Sequence, residues 1–342
     1  MSNKPRVLII YTGGTIGMIE DSSSGKLSNV NFNHVYDHVP ELKRLNIELD
    51  TLSFENPIDS SQINPSHWRD IANSIFENYS NYDGFVVLHG TDTMAYTASA
   101  LSFMFDGLRK PVILTGSQLP IGILRTDGKE NLITAIEIAS IKDDKDEALI
   151  QEVVVYFDYS LFRGNRSSKV SADNFEAFRS PNYESMVEAG VELKFNKHLF
   201  YRTSSDKFTV KDKFNEKILL LKLFPGMNFE RFENLISKDY YDGLIIESFG
   251  AGNVPSSELL SDILKRFTLD GGVILNITQC NSGKVDQGKY LASDVLSKAN
   301  VISGGNMTTE AAVAKMMHVL GNFPLDEVKK LLASDVRGEV DF

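Results

Sequence analysis

Three times in its first half the chain repeats one pattern: a short apolar run stops abruptly in glycines and hydroxyls. Val7 to Tyr11 runs into Thr12-Gly13-Gly14-Thr15-Ile16-Gly17. Phe85-Val86-Val87-Leu88 runs into His89-Gly90-Thr91-Asp92-Thr93, and Pro111-Val112-Ile113-Leu114 into Thr115-Gly116-Ser117. Apolar, β-branched runs of this length, bounded by turn residues, read as buried strands. Helical spacing follows two of them, over 95–105 and over 128–140, where Leu132, Ile133, Ile136 and Ile138 recur. Strands that alternate with helices require a parallel sheet with crossover connections. Open sheets of that kind gather ligands outside the carboxyl ends of their strands. The hydroxyl-bearing ends of these runs are therefore expected on one rim.

The pattern resumes further on. Strands are expected over 218–224, over 243–247 leading into Phe249-Gly250-Ala251-Gly252-Asn253, and over 273–277 leading into Gln279-Cys280-Asn281. Helices are expected over 65–76 with Ser66 as a candidate cap, and over 229–236, 257–267 and 308–320. Periodicity weakens between residues 177 and 215. The fold class expected is α/β with two domains. A large N-terminal parallel-sheet domain with the catalytic residues covers 1–190, a linker 191–215, and a smaller C-terminal α/β domain 216–342.

The first glycine stretch constrains chemistry only loosely. Its glycines are adjacent, so it is not the G-x-G-x-x-G of dinucleotide sites, and no Gly-Lys-Ser/Thr follows to make a P-loop. A tight structural turn and a loop that admits a ligand close to the backbone remain equally open. Thr15 is the first candidate for chemistry, and the polar stretch behind it, 20–29, reads as a lid or as an ordinary surface loop. A net charge of -11 over 342 residues argues against a nucleic-acid or anionic-membrane surface. The sole cysteine, Cys280, forbids an intrachain disulfide and fits a reducing, cytoplasmic compartment. The first apolar run is too short for a signal peptide or a membrane span.

Several polar residues share the expected rim: Thr12, Thr15, Asp59, Ser60, Ser61, Thr91, Asp92, Thr115, Ser117 and, after a later strand, Lys169. A threonine hydroxyl is a poor nucleophile near neutral pH and needs a base beside it. A lysine can be that base in its neutral form, with a carboxylate in the orienting role that triads require. Each residue has a plainer reading. Asp92 or Thr91 could cap a helix, Ser60 and Ser61 could cap the one starting near Pro65, and Lys169 could be a solvated charge. His89 reads as a packed neighbour of the site. The scattered histidines contain no His-Glu-x-x-His pattern, so no metal site is expected.

Thr12-Gly13-Gly14-Thr15-Ile16-Gly17 together with His89-Gly90-Thr91-Asp92-Thr93 resembles the two signature motifs of the bacterial-type L-asparaginases. Residues 95–103, Thr115-Gly116-Ser117-Gln118, Arg163-Gly164-Asn165-Arg166 and Thr278-Gln279-Cys280 are similar to the cytoplasmic type I branch, and the likeness runs from the first strand to about Gly338. The resemblance implies hydrolysis of L-asparagine to L-aspartate and ammonia, without metal or cofactor. It implies Thr15 as nucleophile, Thr91, Asp92 and Lys169 as proton relay, and Asp59, Ser60, Ser61, Gly90, Thr91 and Asp92 around the substrate. Asn253 matches a residue that members lend to a neighbouring subunit's site, which implies a homodimer or homotetramer.

Two departures stand out. Members often carry a tyrosine in the loop after the first motif; here Gly25 is followed by Lys26 and Leu27. Tyr290 is expected to take that place. Glu247 stands where some cytoplasmic relatives have an arginine at a proposed effector site, so control by a second asparagine is not expected. Competing readings are a catalytically inactive amino-acid-binding or sensing protein on the same scaffold, and a related amidohydrolase preferring glutamine. A third, the amidohydrolase subunit of an archaeal-type tRNA amidotransferase, carries an extra domain before the first motif, whereas this motif begins at Thr12.

Overall fold

A computed structural model describes residues 4–20, 27–29, 39–286 and 294–342. They form two compact units that divide between Lys211 and Asp212.

The first unit is built on one eight-stranded sheet. Its parallel part runs in the order Val153–Phe157, Val112–Thr115, Gly84–Leu88, Arg6–Tyr11, Glu48–Ser53. The three inner strands are buried along almost their whole length, as strands covered on both faces must be, and this accounts for their unbroken apolar runs. Helix Pro65–Asn78 is capped by Asn64, whose side chain accepts from the Ser66 N–H, and not by Ser66. Helices Met94–Met104 and Gly128–Ser140 follow their strands as the apolar spacing predicts.

Beyond Val153–Phe157 the sheet turns antiparallel, through Ser160–Arg163, Val187–Ala189 and Leu193–Phe195. The stretch expected as linker, 191–215, thus contributes an edge strand to the first unit. Its Thr209–Val210 also pairs with Phe105–Asp106. Short, half-exposed edge strands carry too little apolar periodicity to announce themselves.

The second unit has four parallel strands in the order Ile218–Lys222, Gly243–Ser248, Val273–Thr278, Ile302–Ser303. Helices Glu258–Leu269 and Thr309–Asn322 start on the Ser257 and Thr308 caps. The helix expected over 229–236 is only a 3-10 turn at Phe229–Phe232. Lys315 and Glu339, both fully buried, meet at 2.5 Å.

The carboxyl rim of the first sheet is assembled by glycine. Gly13 and Gly14 have φ of 137° and 91°, a region that a side chain rarely tolerates. A Cβ on Gly13 would lie 2.3 Å from the Ile58 carbonyl oxygen, and one on Gly14 would lie 2.5 Å from the Gly90 nitrogen. The loops after Arg6–Tyr11, Glu48–Ser53 and Gly84–Leu88 therefore touch backbone to backbone. Gly14→Ala is expected to cost about 3 kcal/mol through strain and overlap together. Gly190, whose added Cβ would meet nothing closer than 3.7 Å, is the control and should change by less than about 0.5 kcal/mol. Denaturant unfolding of both alanine variants checks this; equal stabilities would contradict it.

Candidate active site

Thr12 ends the first strand by turning inward. It is buried, its hydroxyl donates to the Leu88 carbonyl at 2.9 Å, and its own carbonyl accepts from the Ile58 N–H at 2.8 Å. Of the two threonines flanking the glycines, Thr12 is thus committed to holding loops together. Thr15 begins a 3-10 turn, Thr15–Gly17, and is half-buried. Gly14 lies against Gly90, so Thr15 and Thr91 each follow directly from one shared backbone contact.

Asp59 caps the 3-10 turn Ser60–Gln62 by accepting from the Ser61 N–H at 2.9 Å. The Ser61 backbone N–H and hydroxyl hold its carboxyl below the usual carboxylate range. Ser60 is buried, and a Cβ on Gly90 would strike its hydroxyl at 2.6 Å. Thr93 fastens the same loop by donating to the Ser60 carbonyl at 2.7 Å. Ser60 and Ser61 cap no helix.

Nor do Thr91 and Asp92 act as caps. Helix Met94–Met104 has Thr93 at the cap position and no side-chain cap bond at all. The two residues instead meet Lys169, whose Nζ donates to Thr91 Oγ1 at 2.9 Å and to Asp92 Oδ1 at 2.7 Å. The lysine side chain is only 16% exposed, so it is not a solvated surface charge. It is delivered by the Gly164–Arg166 turn, which packs on Ala98 and anchors through a buried Arg163–Glu152 pair at 2.6 Å. A hydroxyl, an amine and a carboxylate within hydrogen-bond reach form a set that can pass a proton along.

His89 supports this arrangement from beneath. It is buried, which pulls its pKa from 6.5 to about 4 and keeps the ring neutral. Its Nδ1 lies 2.7 Å from the Gly90 carbonyl, which can only accept, so Nδ1 carries the proton. Nε2 then accepts from Thr97 Oγ1 at 2.9 Å, and Thr97 accepts from the Trp68 indole at 3.1 Å. The chain's single tryptophan is thereby wired to the peptide that precedes Thr91. The histidine was legible as a neighbour of the site; the Trp68–Thr97 support was not, because its members lie apart in sequence.

Asn253 belongs to the second unit, where its backbone bridges to Phe249. Tyr290, Gly25 and Lys26 lie outside the described residues. Glu247 sits in the second unit, with Lys222 Nζ at 3.4 Å and the Thr309 hydroxyl donating to it at 2.5 Å. Among the described residues no three metal-ligating side chains converge, and no helix is long and apolar enough to cross a membrane.

The buried histidine sets an acid limit. The unfolded chain takes up a proton below about pH 6.5, while the folded ring refuses it until about pH 4. Stability is therefore full above pH 6.5 and is lost as pH falls towards 4, by about 3 kcal/mol. His89→Gln should flatten that limb of the unfolding free energy, followed by Trp68 fluorescence. An unchanged acid limb would contradict the assignment.

Residues 6–201 match the family model for the asparaginase N-terminal domain, and residues 217–332 the model for the glutaminase/asparaginase C-terminal domain. L-asparaginase 1 of Escherichia coli (strain K12) is 37% identical over 339 residues, covering 98% of each chain. The crystal structure of L-asparaginase I from Vibrio cholerae superposes with a TM-score of 0.90 at 38% identity, covering 99% of this chain and 100% of that one. The thermostable L-asparaginase from Thermococcus kodakarensis does so with a TM-score of 0.88 at 30% identity, over 98% and 99%. With both domains matched and this identity sustained end to end, the chain belongs to the asparaginase family.

Proposed function

We propose that the chain is an L-asparaginase, hydrolysing the side-chain amide of L-asparagine to L-aspartate and ammonia through a threonyl ester. Membership of the family supports the substrate. The observation that carries the mechanism is Lys169 bonded to both Thr91 and Asp92, beside the Gly14–Gly90 contact.

In this reading the Thr15 hydroxyl oxygen attacks the amide carbon. A C–O bond forms, the C–N bond breaks, and the hydroxyl proton reaches the departing nitrogen, which leaves as ammonia. Water then attacks the ester carbon, releasing L-aspartate and returning a proton to Thr15. Thr91, Lys169 and Asp92 move the protons. Backbone N–H groups at the start of the Thr15–Gly17 turn have no partner within it and can face the oxyanion, a contribution of about 3 kcal/mol per donor elsewhere. Asp59 and Asp92 bind the substrate's ammonium group, and Ser60 and Ser61 its α-carboxylate, with Gly90 leaving room. Neither metal nor cofactor enters, because a held nucleophile needs only proton transfer and charge stabilisation.

The enzyme works as a homodimer or homotetramer in which Asn253 completes a neighbouring subunit's site. The lone Cys280 accords with a cytoplasmic location. Ammonia release from L-asparagine and L-glutamine is the direct assay. Thr15→Ala should lower kcat at least about 1,000-fold, with Thr15→Ser retaining part of it. Full activity in Thr15→Ala would overturn the mechanism, and would leave the binding-protein alternative disproved as well.

The Glu247 carboxylate, already engaged by Lys222 and Thr309, would repel the carboxylate of a second asparagine. Rate against L-asparagine should therefore be hyperbolic. A sigmoidal curve would contradict this.

A further inference from the structure

The relay has one contact that the proposed mechanism leaves unused. Thr91 Oγ1 lies 3.2 Å from Gln118 Oε1, and Gln118 Nε2 lies 3.0 Å from the Asn174 carbonyl oxygen. A backbone carbonyl can only accept, so the amide NH2 must face Asn174 and the amide oxygen must face Thr91. That oxygen also accepts only. The single proton of the Thr91 hydroxyl is thereby directed to Gln118, and a lone pair is left for Lys169 at 2.9 Å.

The amide is itself firmly mounted. The backbone N–H groups of Gln118 and Leu119 both donate to the Asp127 carboxylate, at 2.9 and 3.1 Å. Asn131 steadies that carboxylate at 3.3 Å and donates to the Gly116 carbonyl at 3.0 Å. On the other side, Asn174 lies in a turn closed by the Ser171 hydroxyl and by Val170 bonding to the Ala177 carbonyl at 2.8 Å. That turn follows directly on Lys169.

We propose that Gln118 is a positioning residue for the reaction: it fixes the direction of the Thr91 hydroxyl and ties it, through Asn174, to the turn that carries Lys169. The assignment rests on the relay reading given above. In the resting site the Thr91 hydroxyl donates to Gln118 and accepts from Lys169, so its oxygen faces the amine before any proton is transferred. Gln118 touches no reacting atom and acts only through Thr91.

The test is steady-state ammonia release from L-asparagine by the full chain. Gln118→Leu, and Gln118→Met as the unbranched replacement least disturbing to packing, should each lower kcat by about tenfold with KM within about twofold. Melting temperatures should stay at the wild-type value. In a Thr91→Val background, measured at high enzyme concentration, the same substitutions should cost less than about twofold, because the hydroxyl they orient is gone. A merely structural role would give additive losses in that background. Additivity, a raised KM with kcat retained, or no change in kcat would each overturn the proposal. Thr91→Val with wild-type activity would instead sink the relay, and the role of Gln118 with it.

Discussion

The candidate site depends on backbone meeting backbone where three loops leave the first sheet. Gly13 against Ile58 and Gly14 against Gly90 leave no space for even a methyl group, and Gly90 in turn seats against Ser60. Thr12 locks this junction by bonding both neighbouring loops at once. Contacts of this kind are short and stiff compared with long side chains reaching across a cleft. They set the starting points of Thr15, Ser60 and Thr91 before any side-chain torsion is chosen. The chemistry then needs only small hydroxyl and carboxylate side chains, which bring little rotational freedom to be frozen.

The one long side chain in the set, Lys169, is handled differently. It comes from beyond the parallel strands, on a segment fixed by the Gly164–Arg166 turn and the enclosed Arg163–Glu152 pair. Its amine ends between two acceptors, Thr91 and Asp92. Beneath them, the Gly90 carbonyl fixes the tautomer of the neutral His89 ring, and Thr97 and Trp68 hold its other nitrogen. A rigid floor, a mounted lysine and an oriented hydroxyl are successive layers of one preorganised arrangement.

Much of this was legible from residue order because the informative signals are local. An apolar run ending in adjacent glycines is both a strand terminus and a place where nothing larger fits, so the Thr12–Gly17 stretch spoke for rim and site together. Caps were less legible: Asn64, not Ser66, starts its helix, because any of several small polar residues can supply the bond. The edge strand at Leu193–Phe195 was hidden inside an expected linker, since pairing at a sheet margin leaves no long apolar stripe. The Gln118–Asn174 and Trp68–Thr97–His89 connections were invisible for a different reason. They join residues many positions apart, and hydrogen-bond direction emerges only when the acceptors around an amide or a ring are known.

The central claim is that this rim makes Thr15, rather than its neighbour Thr91, the atom that bonds to substrate. Rapid acid quench during turnover of L-asparagine, followed by peptide mapping by mass spectrometry, addresses it most directly. The account predicts one aspartyl ester on the peptide containing Thr15 and none on that containing Thr91. An ester on the Thr91 peptide would contradict it, as would ammonia release with no covalent adduct under conditions that trap such esters.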